Sequence, residues 1–335
     1  MIDEATAWAR LDSLAKPQRS LGRLETLAVR LAVIQQRLDP QTRPRRIVLF
    51  AADHGVVAQG VSAWPSSVTG LMLGTILAGR ATSSALAAAH GCDLRVVDVG
   101  ADSPPAGVQP PFFNAASVAL GTADLALGAA MTLAQFEAAW VVGTTEAQRA
   151  CDEGYILLIA GEMGIGNTTS AACLTTLLTG IDVDTAVGRG AGADDASMTI
   201  KRRVVDAATP RARGMLADDA RSAVADVAGF EIVAMAGFFA TGAALGATLL
   251  LDGYVATAAA LIAERLAPGT ARAMIAAHRS AEPGHRAALA QLDLEPLLNW
   301  QMRLGEGTGA LVALPLLDSA AALLTNVALL ADLGG

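Results

Sequence analysis

The chain has few cysteines and no excess of basic charge. Its 335 residues carry a formal net charge of -8, so no basic surface exists to neutralise a phosphate backbone, and nucleic acid is not expected as a partner. The three cysteines Cys92, Cys151 and Cys173 are scattered, odd in number and form no CxxC pair. This pattern favours a reducing compartment over a disulfide framework or a zinc site. We expect all three to be buried, inert thiols.

Histidine is also scarce and gives little support to a metal centre. His54, His90, His278 and His285 form neither an HExxH motif nor any i, i+4 pair, and the nucleophile elbow GxSxG of a serine hydrolase is absent. We therefore predict neither a metal nor a cofactor. His54 follows a predicted strand, where a functional histidine and a structural one are equally expected.

No segment reads as a signal or a membrane anchor. Met1 to Arg10 carries early acids and lacks the basic start and apolar core of a secretory signal, so a cytoplasmic protein is expected. Ile232 to Leu251 is uncharged and reaches the ~20 residues of a spanning helix. Because it is rich in Ala, Gly and Thr and is followed at once by Asp252, we interpret it as a buried strand, turn and helix.

Short apolar runs that end in Gly, Asp or His predict buried parallel strands. The clearest are Ile47 to Ala52, Leu94 to Val99 and Tyr155 to Ala160, and three weaker ones are Glu231 to Ala236, Leu249 to Val255 and Ala271 to Ala277. Ala- and Leu-rich stretches between them predict crossover helices at Leu71 to Ala89, Thr168 to Leu178 and Ala256 to Leu266. The predicted fold class is α/β, with a parallel Rossmann-like sheet and flanking helices.

Both chain ends are predicted to be helical. Amphipathic patterns cover Glu4 to Leu14, Leu21 to Leu38 and Gly309 to Leu333, whereas the prolines of Pro104 to Pro111 predict a loop. We expect the two ends to pack together as a small helical domain formed by residues 1–39 and 301–335. Residues 40–300 would then form the large α/β substrate-binding domain.

The strongest local motif runs from Gly161 to Thr169 and opens an Ala-rich helix. Its glycines allow close backbone approach, Asn167 or Thr168 can cap the helix, and the helix N-terminus offers N–H donors to a phosphate. The motif lacks the lysine of a GxxxxGK loop and the spacing of GxGxxG, which argues against ATP or a dinucleotide. A purely structural glycine turn is an equal alternative, although Glu162 would be unusual in one.

A second glycine-rich stretch, Val187 to Asp195, is followed by Lys201. Only Lys16 and Lys201 are lysine among 24 basic residues, so a lysine retained at this point indicates a compact ammonium, such as a point charge on a phosphate. The alternative is a lysine on a solvated helix face.

A third motif, Met302 to Gly309, places the single carboxylate of Glu306 between glycines. Such a turn can present Glu306 to a cleft, where partial burial would raise its pKa toward that of a general base. An exposed turn acid is the common alternative.

Taken together, these segments resemble the nicotinate-nucleotide:dimethylbenzimidazole phosphoribosyltransferase family, which builds the lower ligand of cobalamin. The resemblance spans about Leu14 to Asn326. The segments that carry it are Lys16 to Glu25, Ala52 to Val56, Gly161 to Thr169, Val187 to Gly192 with Lys201, Leu251 to Gly253, His278 to His285, and Arg303 to Gly309.

The resemblance implies roles for individual residues. Glu306 would be the catalytic base that takes the proton from the incoming benzimidazole nitrogen. The predicted nucleotide and phosphate contacts are Glu162, Gly164, Gly166, Asn167, Gly190, Gly192, Lys201, Ser280 and Gly305. The predicted base-binding residues are Trp64, Met72 and Leu304, and Trp64 and Met72 stand where some members carry small or amide side chains, which suggests an apolar pocket and leaves the preferred base open.

The resemblance also implies a homodimer that acts on nicotinate mononucleotide and a benzimidazole, with no membrane partner. Transfer of the phosphoribosyl group would proceed by a single inverting displacement. A rival interpretation of a different class is a non-catalytic mononucleotide sensor in which Glu306 only hydrogen-bonds a base.

Overall fold

The computed structural model describes residues 1–105 and 107–334. Its strands are β1 Arg45–Ala52, β2 Asp93–Gly100, β3 Phe113–Ala115, β4 Leu157–Met163, β5 Thr248–Leu251 and β6 Met274–Ala276. They form one parallel sheet in the order β3-β2-β1-β4-β5-β6. The α/β fold class predicted from the sequence is therefore confirmed.

Helices lie on both faces of the sheet. The helices are α1 Glu4–Asp12, α2 Arg23–Gln35, α3 Ser67–Leu77, α4 Thr82–Ala89, α5 Leu133–Asp152, α6 Asn167–Thr179, α7 Val183–Ala186, α8 Asp195–Met215, α9 Ala220–Ala225, α10 Phe230–Ala244, α11 Tyr254–Leu266, α12 His285–Gln291 and α13 Thr308–Asn326. Alternate residues of β1 face opposite ways: Val48 and Phe50 enter a core with α5, α6, α10 and α11, whereas Ile47 and Leu49 enter a second core with α1, α2, α4 and α13.

The two chain ends meet in the second core. Leu11 of α1, Leu31 of α2 and Leu317 of α13 belong to one buried cluster, which they share with β1. The buried ion pair between Lys16 Nζ and Glu25, 2.7 Å long, ties the α1–α2 connection together. The division at residues 39/40 and 300/301 stays a prediction, because the terminal helices share their core with the sheet. Gly335, the last residue of the predicted small domain, lies outside the described residues.

Three predictions for single elements are wrong. Glu231–Ala236 is part of α10 and not a strand, so the segment 232–251 runs helix, turn, strand, the reverse of the predicted order. A helix buried on all sides loses its 3.6-residue polar pattern and resembles a buried strand. The predicted helix over Leu71–Ala89 is two helices, since Gly79, with a φ of +72°, ends the first.

Other boundaries shift by a few residues. The predicted strand Leu249–Val255 ends at Leu251 because α11 begins at Tyr254, and Ala271–Ala277 contributes only Met274–Ala276. The predicted strand at Tyr155 starts later, at Leu157. The Pro104–Pro111 segment precedes a short edge strand, β3, that the sequence did not indicate; Ala106 lies outside the described residues.

Two apolar segments reach the length of a membrane span. Ser67–Ala89 and Thr308–Asn326 meet that criterion by length and composition alone, which a core helix also meets. The first is interrupted between α3 and α4, and the second buries Leu311 and Leu314 in the second core. Cys92 and Cys173 are buried as expected, with thiol pKa values raised by burial to about 12, whereas Cys151 is only partly buried.

Candidate active site

A cleft opens at the carboxyl ends of β4, β5 and β6. In an open parallel sheet these ends meet along one edge, where ligands bind. Glu162 lies near the end of β4, Asp252 directly follows β5, and His278 lies just beyond β6, and all three line the cleft. The cleft therefore combines acids and a histidine from three neighbouring strands.

The Gly161–Thr169 motif forms one wall of this cleft. Gly164, Gly166, Asn167 and Thr168 all line it, and α6 begins at Asn167. The N-cap is Gly166, with a φ of +96°, and not Asn167 or Thr168 as predicted. Gly166 has no capping side chain, and the N–H groups of Asn167 and Thr169 donate to the carbonyls of Gly164 and Gly166. The N–H of Thr168, between them, has no backbone acceptor in the described part of the chain and can meet an anion.

Asn167 instead holds the side chain of Glu162, the acid of the same motif, in place. Its side-chain amide donates a short hydrogen bond to Glu162 Oε2. Burial raises the pKa of Glu162 to about 8, with further increases from Glu231 and Asp252 and a decrease from the Asn167 hydrogen bond. Glu162 is therefore mostly neutral at pH 7, which reduces its repulsion of an anionic ligand.

The second glycine-rich stretch reaches the cleft through Gly190. The Gly190 N–H donates to Glu282 Oε1 at 2.9 Å, and its carbonyl accepts a 2.6 Å hydrogen bond from Arg303 Nη1. Its φ of +53° suits glycine. Gly192 is not among the residues that line the cleft.

Lys201 lies behind the cleft wall and is only 1% exposed. Its ammonium donates to Thr168 Oγ1 at 2.8 Å and to the Gly188 carbonyl at 2.9 Å, so it joins the two glycine-rich segments. Burial lowers its pKa to about 8, an effect that Glu282 partly offsets. The interpretation as a solvated surface lysine is wrong.

Glu306 occupies a strained turn beside the cleft. The φ values of Gly305, Glu306 and Gly307 are +85°, +58° and +73°, and a side chain at Gly305 would collide with the Glu162 carboxylate. Left-handed backbone is unfavourable for glutamate, so the surrounding contacts must hold it there. Glu306 is 3% exposed, which excludes the alternative of an exposed turn acid.

Hydrogen bonds to Ser83 and Asp252 fix this turn and its carboxylate. Glu306 Oε2 accepts a 2.9 Å hydrogen bond from Ser83 Oγ, and the Asp252 carboxylate accepts from the N–H groups of Gly307, Gly309 and Ala310. Burial raises the pKa of Glu306, the hydrogen bonds from Ser83 lower it, and Asp252 raises it, with a net increase. An acid with a raised pKa in a fixed orientation suits a general base.

Ser280, one of the predicted nucleotide contacts, lines the cleft. Its N–H donates to His285 Nδ1 at 2.8 Å, and its hydroxyl accepts a hydrogen bond from the Glu282 N–H at 3.3 Å. Burial lowers the pKa of His285 to about 3, which keeps the ring neutral and able to accept.

The predicted base-binding residues are not gathered at one place. Leu304 lines the cleft and is 56% exposed, whereas Met72 on α3 packs against the second core. Trp64 is 51% exposed, and its indole N–H donates to the carbonyl of cleft residue Ala191 at 3.3 Å. Leu304 and Trp64 thus present apolar surface at the cleft rim.

Comparisons with known proteins identify the family of this chain. A family profile described as phosphoribosyltransferase matches residues 3–334. The chain is 45% identical over 331 residues to the nicotinate-nucleotide–dimethylbenzimidazole phosphoribosyltransferase of Mycobacterium avium, covering 98% of this chain and 94% of that protein. The chain belongs to this phosphoribosyltransferase family.

Further relatives cover the chain to the same extent. The nicotinate-nucleotide–dimethylbenzimidazole phosphoribosyltransferase of Mycobacterium tuberculosis is 46% identical over 332 residues, covering 99% of this chain and 91% of that protein. The crystal structure of CobT from Thermus thermophilus superposes with a TM-score of 0.93 at 44% identity, covering 99% of this chain and 98% of that one. Membership of the family makes this chain a pentosyl-transferring enzyme.

Several cleft residues of this phosphoribosyltransferase were not singled out from the sequence. Asp252, His278, Glu282 and Arg303 all line the cleft, and Glu282 Oε2 is buried without a protein partner in the described part of the chain. Asp252 directly follows the apolar run of β5, so the acid at the end of a predicted strand could have been found from the sequence. His278 and Glu282 flank Ser280 in a segment that supported the resemblance, so their positions could have been found from it.

His54 does not line the cleft but supports its wall. His54 Nε2 and Glu231 Oε1 are 2.7 Å apart, both side chains are buried, and Ser170 Oγ lies 3.2 Å from His54 Nδ1. Burial lowers the pKa of His54, but Glu231 outweighs this and leaves it raised. A Cβ at Gly164 would lie 3.2 Å from Glu231 Oε1 and 3.4 Å from His54 Nε2. The His54–Glu231 pair therefore packs directly against the Gly161–Thr169 motif.

The described residues contain no group of three or more His, Cys, Asp or Glu arranged to hold a metal ion.

Proposed function

We propose that this enzyme transfers the 5-phosphoribosyl group of nicotinate mononucleotide to 5,6-dimethylbenzimidazole or a related base. The products are α-ribazole 5'-phosphate and nicotinate. The observation that carries the proposal is the Glu306 carboxylate, held beside the cleft by Ser83 in a turn fixed by Asp252. The relatives are named for the same pair of substrates.

Glu306 acts as the general base of a single inverting displacement. A benzimidazole nitrogen attacks C1 of the ribose on the face opposite nicotinate, and the C1–nicotinate bond breaks. The pyridinium takes the bonding electron pair and leaves as a neutral ring, so departure needs no acid. The proton on the other azole nitrogen passes to Glu306, whose raised pKa suits it to accept one.

The nucleotide phosphate binds at the N-terminus of α6. The N–H of Thr168, which has no backbone acceptor in the described residues, and the positive end of the helix dipole favour an anion at this position. Lys201 adds positive charge from behind Thr168, and the neutral state of Glu162 removes a competing negative charge. These groups align C1 for attack.

The ribose fits between Glu162 and Glu282. The unpartnered Oε2 of Glu282 is an acceptor that a ribose hydroxyl would satisfy, and buried acceptors without partners are unfavourable. The base then lies toward Leu304 and Trp64, whose apolar surfaces flank the cleft.

Turnover of nicotinate mononucleotide with a panel of benzimidazoles tests the proposal. The products are separated by chromatography, and formation of an α-linked ribotide with release of nicotinate is the expected result. Binding of nicotinate mononucleotide without product from any base would favour the non-catalytic sensor instead.

We also propose that the enzyme is a cytoplasmic homodimer. The α3–α4 segment exposes apolar side chains, among them Leu71, which is a feature of protein interfaces. The free thiols fit a reducing compartment. Light scattering should give twice the 34.0 kDa mass of the chain, and a monomer mass would contradict the dimer.

A further inference from the structure

The catalytic carboxylate contacts a residue far away in the sequence. Ser83 is the second residue of α4 and is fully buried, and its hydroxyl donates the 2.9 Å hydrogen bond to Glu306 Oε2. The backbone N–H of Ser83 also donates to the Glu306 carboxylate. One residue thus supplies two donors to one carboxylate.

The start of α4 explains why a carboxylate is held there. The N-cap of α4 is Ala81, which has no side chain that could accept from the first N–H groups of the helix. Glu306, which is distant in the sequence, supplies the acceptor at the start of α4 instead. Its negative charge is favoured at the positive end of the helix dipole. Asp252 does the same for α13, whose N-cap is Gly307.

We propose that Ser83 is a positioning residue of the transferase, whose hydroxyl and N–H orient the Glu306 carboxylate toward the azole proton. This inference rests on the proposed function of Glu306 as the general base. The left-handed backbone of Glu306 supports it, because a strained glutamate persists only where contacts fix it.

Ser83 also lowers the pKa of Glu306, whereas the surroundings raise it. Its two donors stabilise the charged carboxylate, whereas burial and the nearby acid Asp252 favour the neutral form. His278 Nε2 lies 3.7 Å from Asp252 Oδ1. Loss of the Ser83 hydroxyl therefore raises the pKa of Glu306, and a larger fraction of the base is protonated and inactive at low pH.

The test compares Ser83→Ala with Ser84→Ala. Ser84 is the neighbouring buried serine on α4, but its hydroxyl donates to the Ile76 carbonyl at 3.0 Å and not to Glu306. For Ser83→Ala we expect kcat to fall about tenfold, the scale of one hydrogen bond to a charged group. The KM for nicotinate mononucleotide should be unchanged, and the acid limb of kcat against pH should move up by about one pH unit.

Further variants separate positioning from folding. Ser83→Thr keeps the hydroxyl and should restore kcat, whereas Ser83→Cys, similar in size but a weak donor, should behave like Ser83→Ala. In a Glu306→Gln background, Ser83→Ala should cause no further loss, because the group that it positions is already inactive.

The inference is overturned if Ser83→Ala keeps the kcat and pH profile of the parent enzyme while Glu306→Gln loses turnover. It is also overturned if both Ser83→Ala and Ser83→Cys lower kcat only in proportion to a loss of folded protein at the assay temperature. Failure of the proposed function looks different, since Glu306→Gln alone would then retain turnover.

Discussion

Asp252 Oδ1 accepts a 2.7 Å hydrogen bond from the backbone N–H of Gly309, which joins the end of β5 to the start of α13. The same carboxylate also accepts from the N–H groups of Gly307 and Ala310. The residues that follow Glu306 are thereby connected to the sheet, and the turn that carries Glu306 is tied to the strand edge at the cleft.

Asp252→Asn should weaken both folding and catalysis. The amide keeps one acceptor oxygen but replaces the other with a donor, so at least one buried N–H loses its partner. We expect the free energy of unfolding to fall by about 1–3 kcal/mol, measured by denaturant titration, together with a lower kcat. Asp206→Asn, on the exposed side of α8, is the control and should change neither. Unchanged unfolding in Asp252→Asn would contradict the anchoring role.

Glu162 should make the stability of the enzyme depend on pH. The pKa of Glu162 is raised from 4.5 to about 8 in the folded protein. The contribution of Glu162 to the free energy of unfolding is therefore fully present below about pH 4.5 and is lost as the pH rises through 8. Relative to Glu162→Gln, the parent should therefore become less stable between about pH 5 and 9, measured by chemical denaturation. The exposed Glu295→Gln should show no such difference. Parallel pH profiles for parent and Glu162→Gln would show that Glu162 is ionised in the fold.

Lys201→Ala should raise the KM for nicotinate mononucleotide and affect a nucleoside without the phosphate much less. The ammonium is positioned through Thr168, next to the start of α6, where its charge favours a phosphate. Steady-state kinetics with both compounds makes the comparison, and Arg202→Ala, exposed on the same helix, is the control. An equal rise in KM for both compounds would mean that Lys201 acts only by bracing Thr168 and Gly188.

Trp64→Ala should weaken the binding of every aromatic base by a similar amount. A half-exposed indole at the cleft rim can stack on a planar base, and such stacking contributes about 0.5–1.5 kcal/mol beyond burial. The KM of each base should rise while that of nicotinate mononucleotide stays constant. Trp300→Ala, 64% exposed and outside the cleft lining, should leave base binding unchanged. A large fall in Tm with intact base affinities would place Trp64 in the scaffold.

Strands and turns that depend on neighbouring residues could be predicted from the sequence. The apolar runs of β1, β2 and β4 correctly predicted three parallel strands, and the glycine-rich motif at the end of β4 forms a wall of the cleft. The glycines around Glu306 indicated a special turn, and the structure shows left-handed backbone at Gly305, Glu306 and Gly307.

Other features depend on contacts that no local pattern records. Ser83 lies in an Ala-rich helix, 223 residues before Glu306 in the chain, and nothing in its neighbourhood distinguishes it from Ser84. The error at α10 has a similar origin, because burial on every side removes the periodicity that identifies a helix. Lys201 attracts notice in the sequence by its rarity, but its burial behind Thr168 follows only from the packing of α8 on α6.

The central claim is that Glu306 accepts the azole proton, and Glu306→Gln tests it most directly. The amide keeps the size of the side chain and can still accept a hydrogen bond from Ser83, but it cannot take up a proton. With nicotinate mononucleotide and dimethylbenzimidazole both saturating, we expect kcat to fall at least about 100-fold and the acid limb of its pH profile to disappear, while the affinity for nicotinate mononucleotide stays nearly unchanged. Near-normal kcat in Glu306→Gln under the same conditions would show that the proton goes elsewhere and would contradict the account.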